Sequence, residues 1–233
     1  TIIGVAFIAG LALTIVWISP LFGSVFCDGA CVETVSGTGN VTVTYSVGDD
    51  SSDSFTVPID DGMSDGNGGW AWIPRSSLPP PLKEVAPDPT KGVVTVGEWA
   101  LVGQLSAATE QIGPRDVTVV APTASPANPE HIARDLWTVT SPYNLEPVQS
   151  DPVLLIYAPR ELPDKGRMYG RTGYVTTSHF RDGDVTSVWV HEYIHAVQNF
   201  ETEQEMHWFR EASATYMTMR FVGEQYHDVG EAD

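Results

Sequence analysis

Hydrophobic and polar positions follow three different patterns along the chain. Residues 1–27, TIIGVAFIAGLALTIVWISPLFGSVFC, carry no charge, and the first proline is Pro20. At about 1.5 Å per residue, roughly 20 uncharged residues cross a bilayer core of about 30 Å. The run predicts a transmembrane helix or signal anchor over residues 1–26, with a cleaved signal peptide or a buried core helix as the alternatives. From Val41 the pattern VTVTYSV alternates with a period of two, as a half-buried strand does. SFTVPI (54–59), VVTV (93–96), VTVVA (117–121) and LWTVT (136–140) predict further strands. Between them DDGMSDGNGGW reads as a solvated turn and LPPPLKEVAPDP as an extended linker or surface loop. Residues 27–150 therefore predict a β-rich segment with Pro/Gly-rich loops.

Beyond residue 150 the period changes. VLLIYAP, from Val153, predicts a buried strand, and RTGYVTTSHF (171–180) a second one. In DVTSVWVHEYIHAVQNF the apolar residues Val185, Val188, Trp189, Ile194 and Val197 recur at helical spacing, and MHWFREASATYMTMRF repeats the pattern.

Composition narrows the functional classes. Thirty Asp and Glu against 12 Lys and Arg leave a net charge of −18, without the basic stripe that tracks a phosphate backbone, so nucleic acid is excluded as a partner. The 42% hydrophobic content supplies a core, so the acidity is that of a folded surface. Only three of the basic residues are lysines (Lys83, Lys91, Lys165), a balance that resembles proteins of salt-loving archaea; an ordinary acidic secreted protein is the alternative. Eight acidic residues precede the first basic one, Arg75, which places the bulk of the chain outside the cell. Cys27 and Cys31, the only cysteines, suit a small local disulfide there, with two free thiols as the alternative. Asn40-Val41-Thr42 fits a glycosylation acceptor. The start at Thr1 and the closeness of the last helix to the C-terminus predict a piece of a longer chain.

His191-Glu192-Tyr193-Ile194-His195 carries the chemistry. Residues four apart on a helix are offset by about 40° and about 6 Å, which points both imidazoles at one ion, while the residue at about 100° reaches a metal-bound water. A catalytic zinc needs a third protein ligand and an open position. Glu211, fifteen residues clear of His195 on the second helix, is the candidate, with His207 as the alternative. A metzincin would carry Gly and His where this chain has Gln198 and Glu201.

H-E-x-x-H followed by W-F-x-E-A-x-A-x-Y on the next helix resembles the gluzincin branch of zinc metallopeptidases, the thermolysin-like or peptidase MA-like proteins. The resemblance spans roughly residues 153–222. It implies that His191, His195 and Glu211 bind Zn2+ and that Glu192 is the general base. The fold class it implies is α+β: a zincin-like core of mixed sheet, HExxH helix and Glu-bearing helix. That core occupies residues 151–233, truncated at its C-terminus, and follows a transmembrane helix and a β-rich segment. In zincins the strand bordering the cleft pairs with an extended substrate, which points to Thr172, Gly173, Tyr174, Val175, Thr176 and Thr177; a plain sheet strand is the other reading. Thr215 and Tyr216 are candidates for supporting a ligand or stabilising the transition state, though the family carries an acidic residue at the place of Thr215. Tyr226 and His227 are further donor candidates.

The expected function is hydrolysis of protein or peptide substrates by a single-pass, membrane-anchored zinc metallopeptidase whose catalytic domain is extracellular. The alternative is a cell-surface binding or assembly protein with a structural or vestigial zinc site. An aminopeptidase would need an acidic anchor for the substrate amine, for which the chain has no motif.

Overall fold

The computed structural model describes residues 28–48, 51–59, 68–143, 151–158, 164–181, 187–198 and 207–227. Eleven strands form three sheets among these residues. Strands β1 (Ala30–Ser36), β2 (Asn40–Val47) and β3 (Ser52–Pro58) make an antiparallel meander. Strands β4 (Trp70–Pro74), β5 (Val93–Val96) and β6 (Trp99–Gly103) make a second antiparallel sheet with β6 in the middle. The third sheet takes β7 (Leu105–Ile112), β8 (Arg115–Pro122), β9 (Val153–Tyr157), β10 (Gly166–Tyr169) and β11 (Thr172–Val175), in the order β10-β11-β9-β8-β7. Its inner strands β8, β9 and β11 are parallel, and its two outer strands are antiparallel.

Alternation along the inner strands explains how the layers stack. Val117, Val119 and Ala121 of β8 and Val153, Leu155 and Tyr157 of β9 face one way, into a core completed by helices α2 (Pro129–Thr140), α3 (Val188–Val197) and α4 (His207–His227). Val120 of β8, Ile156 of β9 and Tyr174 of β11 face the other way, against Trp72, Val94, Val96 and Leu101 of the second sheet. A strand covered on both faces reads as a continuous apolar run, as VLLIY does. The opposite face of the second sheet, through Ala71, Ile73, Val93, Ala100 and Val102, packs on Val41, Val43 and Tyr45 of the meander.

Several expectations need correction. Strand makes up about 41% and helix 34% of the structure, spread over several sheets, so the expected α+β plan of a zincin-like core following a transmembrane helix and a separate β-rich segment does not describe it. The central sheet draws β7 and β8 from before residue 150 and β9 to β11 from after it, because β8 pairs with β7 along one edge and with β9 along the other. No helix among the described residues is long and apolar enough to cross a membrane; the span expected at 1–26 lies outside them. LWTVT is not a strand but the C-terminal part of α2. Asn128 caps that helix by accepting from the backbone N–H of Glu130 and His131, Pro129 occupies its first turn, and Ile132, Ala133, Leu136 and Val139 keep the helical period. The proline cluster likewise contains a short helix, α1 (Pro80–Val85), whose first turn tolerates proline and whose Leu82 is buried. Cys31 is disulfide-bonded; Cys27, the only other cysteine, lies outside the described residues.

Candidate metal centre

Helix α3 is buried around most of its circumference: Trp189, Val190, Tyr193, Ile194 and Ala196 all join the core under the central sheet. Its C-terminal end is held by two guanidinium groups, since Arg171 Nη1 donates to the Ala196 carbonyl at 2.6 Å and Arg115 Nη1 to the same oxygen at 3.4 Å. Cations placed there oppose the negative end of the helix dipole. Helix α4 lies alongside, burying Ala214, Thr218, Phe221 and Val222. Glu211 is three residues before Ala214, so the helical repeat carries it to the edge of that buried face, beside α3.

The three predicted ligands meet. His191 Nε2 lies 3.3 Å from Glu211 Oε2, and His195 Nε2 lies 3.3 Å from Glu211 Oε1. The two Nε2 atoms are 3.0 Å apart, with the rings nearly perpendicular at 86°. Three donors converging in this way form a group that could hold a metal ion. Burial, reinforced by the neighbouring His191, lowers the pKa of His195 and favours the neutral imidazole that ligates metals.

Glu192 stands apart from this trio. It is 4% exposed, and its Oε2 is buried without a hydrogen-bond partner among the described residues. Burial, and then the nearby charge of Glu211, push its carboxyl up to about 8. The close neighbour is backbone: a Cβ added to Gly166, the first residue of β10, would come within 2.7 Å of both Glu192 Cγ and Oε1.

The other predicted residues are placed differently. Thr172 to Val175 form β11, hydrogen-bonded to β10 on one side and β9 on the other, so its main chain has no free edge for a substrate, and the expectation of a cleft-bordering strand there is corrected. Thr176 continues the hairpin by donating its N–H to the Lys165 carbonyl, and Thr177 lies past the strand. The outer strand on this side of the sheet is β10. Thr215 is exposed and Tyr216 is 63% exposed. The second ring nitrogen of His195 is met instead by Gln198, whose Oε1 is 3.1 Å from Nδ1. The side chains of His207, Tyr226 and His227 lie outside the described residues. No local pattern in the sequence marks Gly166, Gln198 or the two arginines, because each meets a partner from an element distant in the chain.

The sequence matches no protein-family model and no curated protein, so the functional reading rests on the geometry of the site.

Proposed function

We propose that this protein is a zinc-dependent peptidase in which His191, His195 and Glu211 hold the ion and Glu192 is the general base. The observation that carries the reading is the convergence of these groups: the two Nε2 atoms lie 3.0 Å apart, each lies 3.3 Å from one oxygen of the Glu211 carboxylate, and one donor atom from each residue falls within 4.8 Å of the others. Bonds of about 2.0–2.1 Å at tetrahedral angles place neighbouring donors roughly 3.3 Å apart, which is the spacing a four-coordinate zinc requires. Two imidazoles and one carboxylate are also the donor set of open catalytic zinc sites, with one position left for water. When bound, zinc supplies Lewis acidity and lowers the pKa of water toward about 7.

The chain's own residues would do the rest. Glu192, next to His191 on the helix, takes a proton from the attacking water and returns it to the leaving amine. Its burial serves this role because a carboxylate stripped of solvent is a stronger base than an exposed one. Strand β10 is one of the two outer strands of the central sheet and begins at Gly166, against the Glu192 carboxyl, so an extended peptide added to that strand would pass beside the base. The disulfide at Cys31 supports a location in an oxidising compartment, and the uncharged residues 1–26 support a membrane anchor.

The test is a Glu192→Gln variant of the full chain, assayed for zinc content and for cleavage of a protein substrate at low and high salt. The expected result is about one zinc per chain and hydrolysis reduced by roughly a thousandfold or more; undiminished hydrolysis would refute the role of Glu192.

A further inference from the structure

A chain of hydrogen bonds runs from the far side of the His195 ring to a backbone carbonyl. His195 Nδ1 is 3.1 Å from Gln198 Oε1, Gln198 Nε2 donates to Ser213 Oγ at 2.8 Å, and Ser213 Oγ donates to the Arg210 carbonyl at 3.1 Å. The last member sets the direction of all the others. A carbonyl oxygen only accepts, so the single hydroxyl proton of Ser213 is committed to Arg210 and its oxygen is left to accept. The group that faces Ser213 must then be the NH2 of Gln198, which turns the amide oxygen toward His195. An amide oxygen also only accepts, so Nδ1 carries the ring proton, and in a neutral imidazole Nε2 keeps the lone pair. That lone pair belongs to the atom that lies 3.0 Å from His191 Nε2 and 3.3 Å from Glu211 Oε1.

We propose that Gln198 and Ser213 are positioning residues that hold His195 in its metal-binding tautomer, an inference that rests on the reading of the trio as a metal site. The arrangement also ties the two ligand-bearing helices together. Gln198 is the residue that ends α3, and Ser213 stands in α4 two residues after Glu211, so the contact that orients His195 also fixes the approach of Glu211. A neutral amide performs this task without adding a buried charge, whereas a carboxylate there would face Ser213 with a second acceptor and pull its proton away from Arg210.

The experiment measures Zn2+ affinity by competition with a chromophoric chelator on the full chain and on the variants Gln198→Leu, Gln198→Glu and Ser213→Ala, with thermal melts recorded for the metal-free forms. Loss of a hydrogen-bond partner behind a ligand histidine weakens metal binding by about 10–100-fold, so Gln198→Leu should fall in that range. Gln198→Glu, which restores an acceptor for Nδ1–H, should recover most of the loss, an order that simple packing would reverse because Leu suits a half-buried site better than Glu. Ser213→Ala should bind more weakly than the wild type by several-fold, since the amide is then free to turn over. Wild-type affinity in Gln198→Leu, or Glu binding no better than Leu, overturns the proposal. If Gln198→Leu does not fold, Ser213→Ala decides, and undiminished affinity there overturns it. A wild-type chain that takes up no zinc would instead sink the metal reading, and the proposal with it.

Discussion

Replacing Glu192 with glutamine should stabilise the metal-free protein, and by more as the pH rises. The carboxyl of Glu192 is 4% exposed, and its pKa is raised from 4.5 to about 8, chiefly by burial and secondly by Glu211. Below pH 4.5 both the folded and unfolded chains carry the proton, and the group leaves stability unchanged from its acid value. Between pH 4.5 and 8 the unfolded chain releases the proton while the folded chain keeps it, so the unfolded state gains about 1.4 kcal/mol for each pH step. The stability present at acid pH is therefore lost as the pH climbs toward about 8. Integrated, the loss is about 3 kcal/mol at pH 7 and about 5 kcal/mol once the group is fully ionised. A glutamine side chain has the same shape and no proton to lose, so the Glu192→Gln variant should lack this slope. The other groups of the site titrate in both proteins and cancel in the difference. Urea unfolding of both chelator-treated proteins from about pH 5 to about pH 8.5 measures it. Two stability curves that stay parallel across that range would refute the argument, because they would mean that Glu192 ionises as readily folded as unfolded.

Three further outcomes follow from the same geometry. Gly166→Ala places a methyl within 2.7 Å of the Glu192 side chain and 2.8 Å of Val188 Cγ1, and should destabilise the protein by about 1–3 kcal/mol in denaturant melts; an unchanged midpoint would mean that β10 can move away from α3 at no cost. Arg171→Ala removes the 2.6 Å charged hydrogen bond to the Ala196 carbonyl and should cost about 1–2 kcal/mol, read from the same melts, with no loss if Arg115 alone suffices to hold the end of α3. Zinc at roughly a thousand times its dissociation constant should stabilise the wild-type protein by about 4 kcal/mol and raise its melting temperature on the order of 10 °C. The same addition should leave Glu211→Ala almost unmoved, and an equal shift in that variant would remove Glu211 from the ligand set.

The unequal legibility of this chain has a physical cause. His191 and His195 were readable because four residues of α-helix fix their rotational offset whatever surrounds them, and Glu211 because a second helical period followed. LWTVT was misread because its β-branched and aromatic residues match strand chemistry over five positions, while the deciding signal, the Asn128-Pro129 start, lies eight residues before Leu136. Which strand stands at the edge was not readable at all. The four residues of β10 and the four of β11 have similar lengths, and their order depends on β9 pairing with β11 across the chain. The poise of Glu192 is in the same position. The base role proposed for it rests on its place next to His191, but its raised pKa comes from burial to which Gly166 contributes, twenty-six residues earlier in sequence and in a different layer of the fold. Gln198 and Ser213 likewise meet only because α4 packs on α3. Short-range spacing thus picks out the candidate groups, whereas long-range packing buries one carboxyl and places a hydrogen-bond partner against one imidazole.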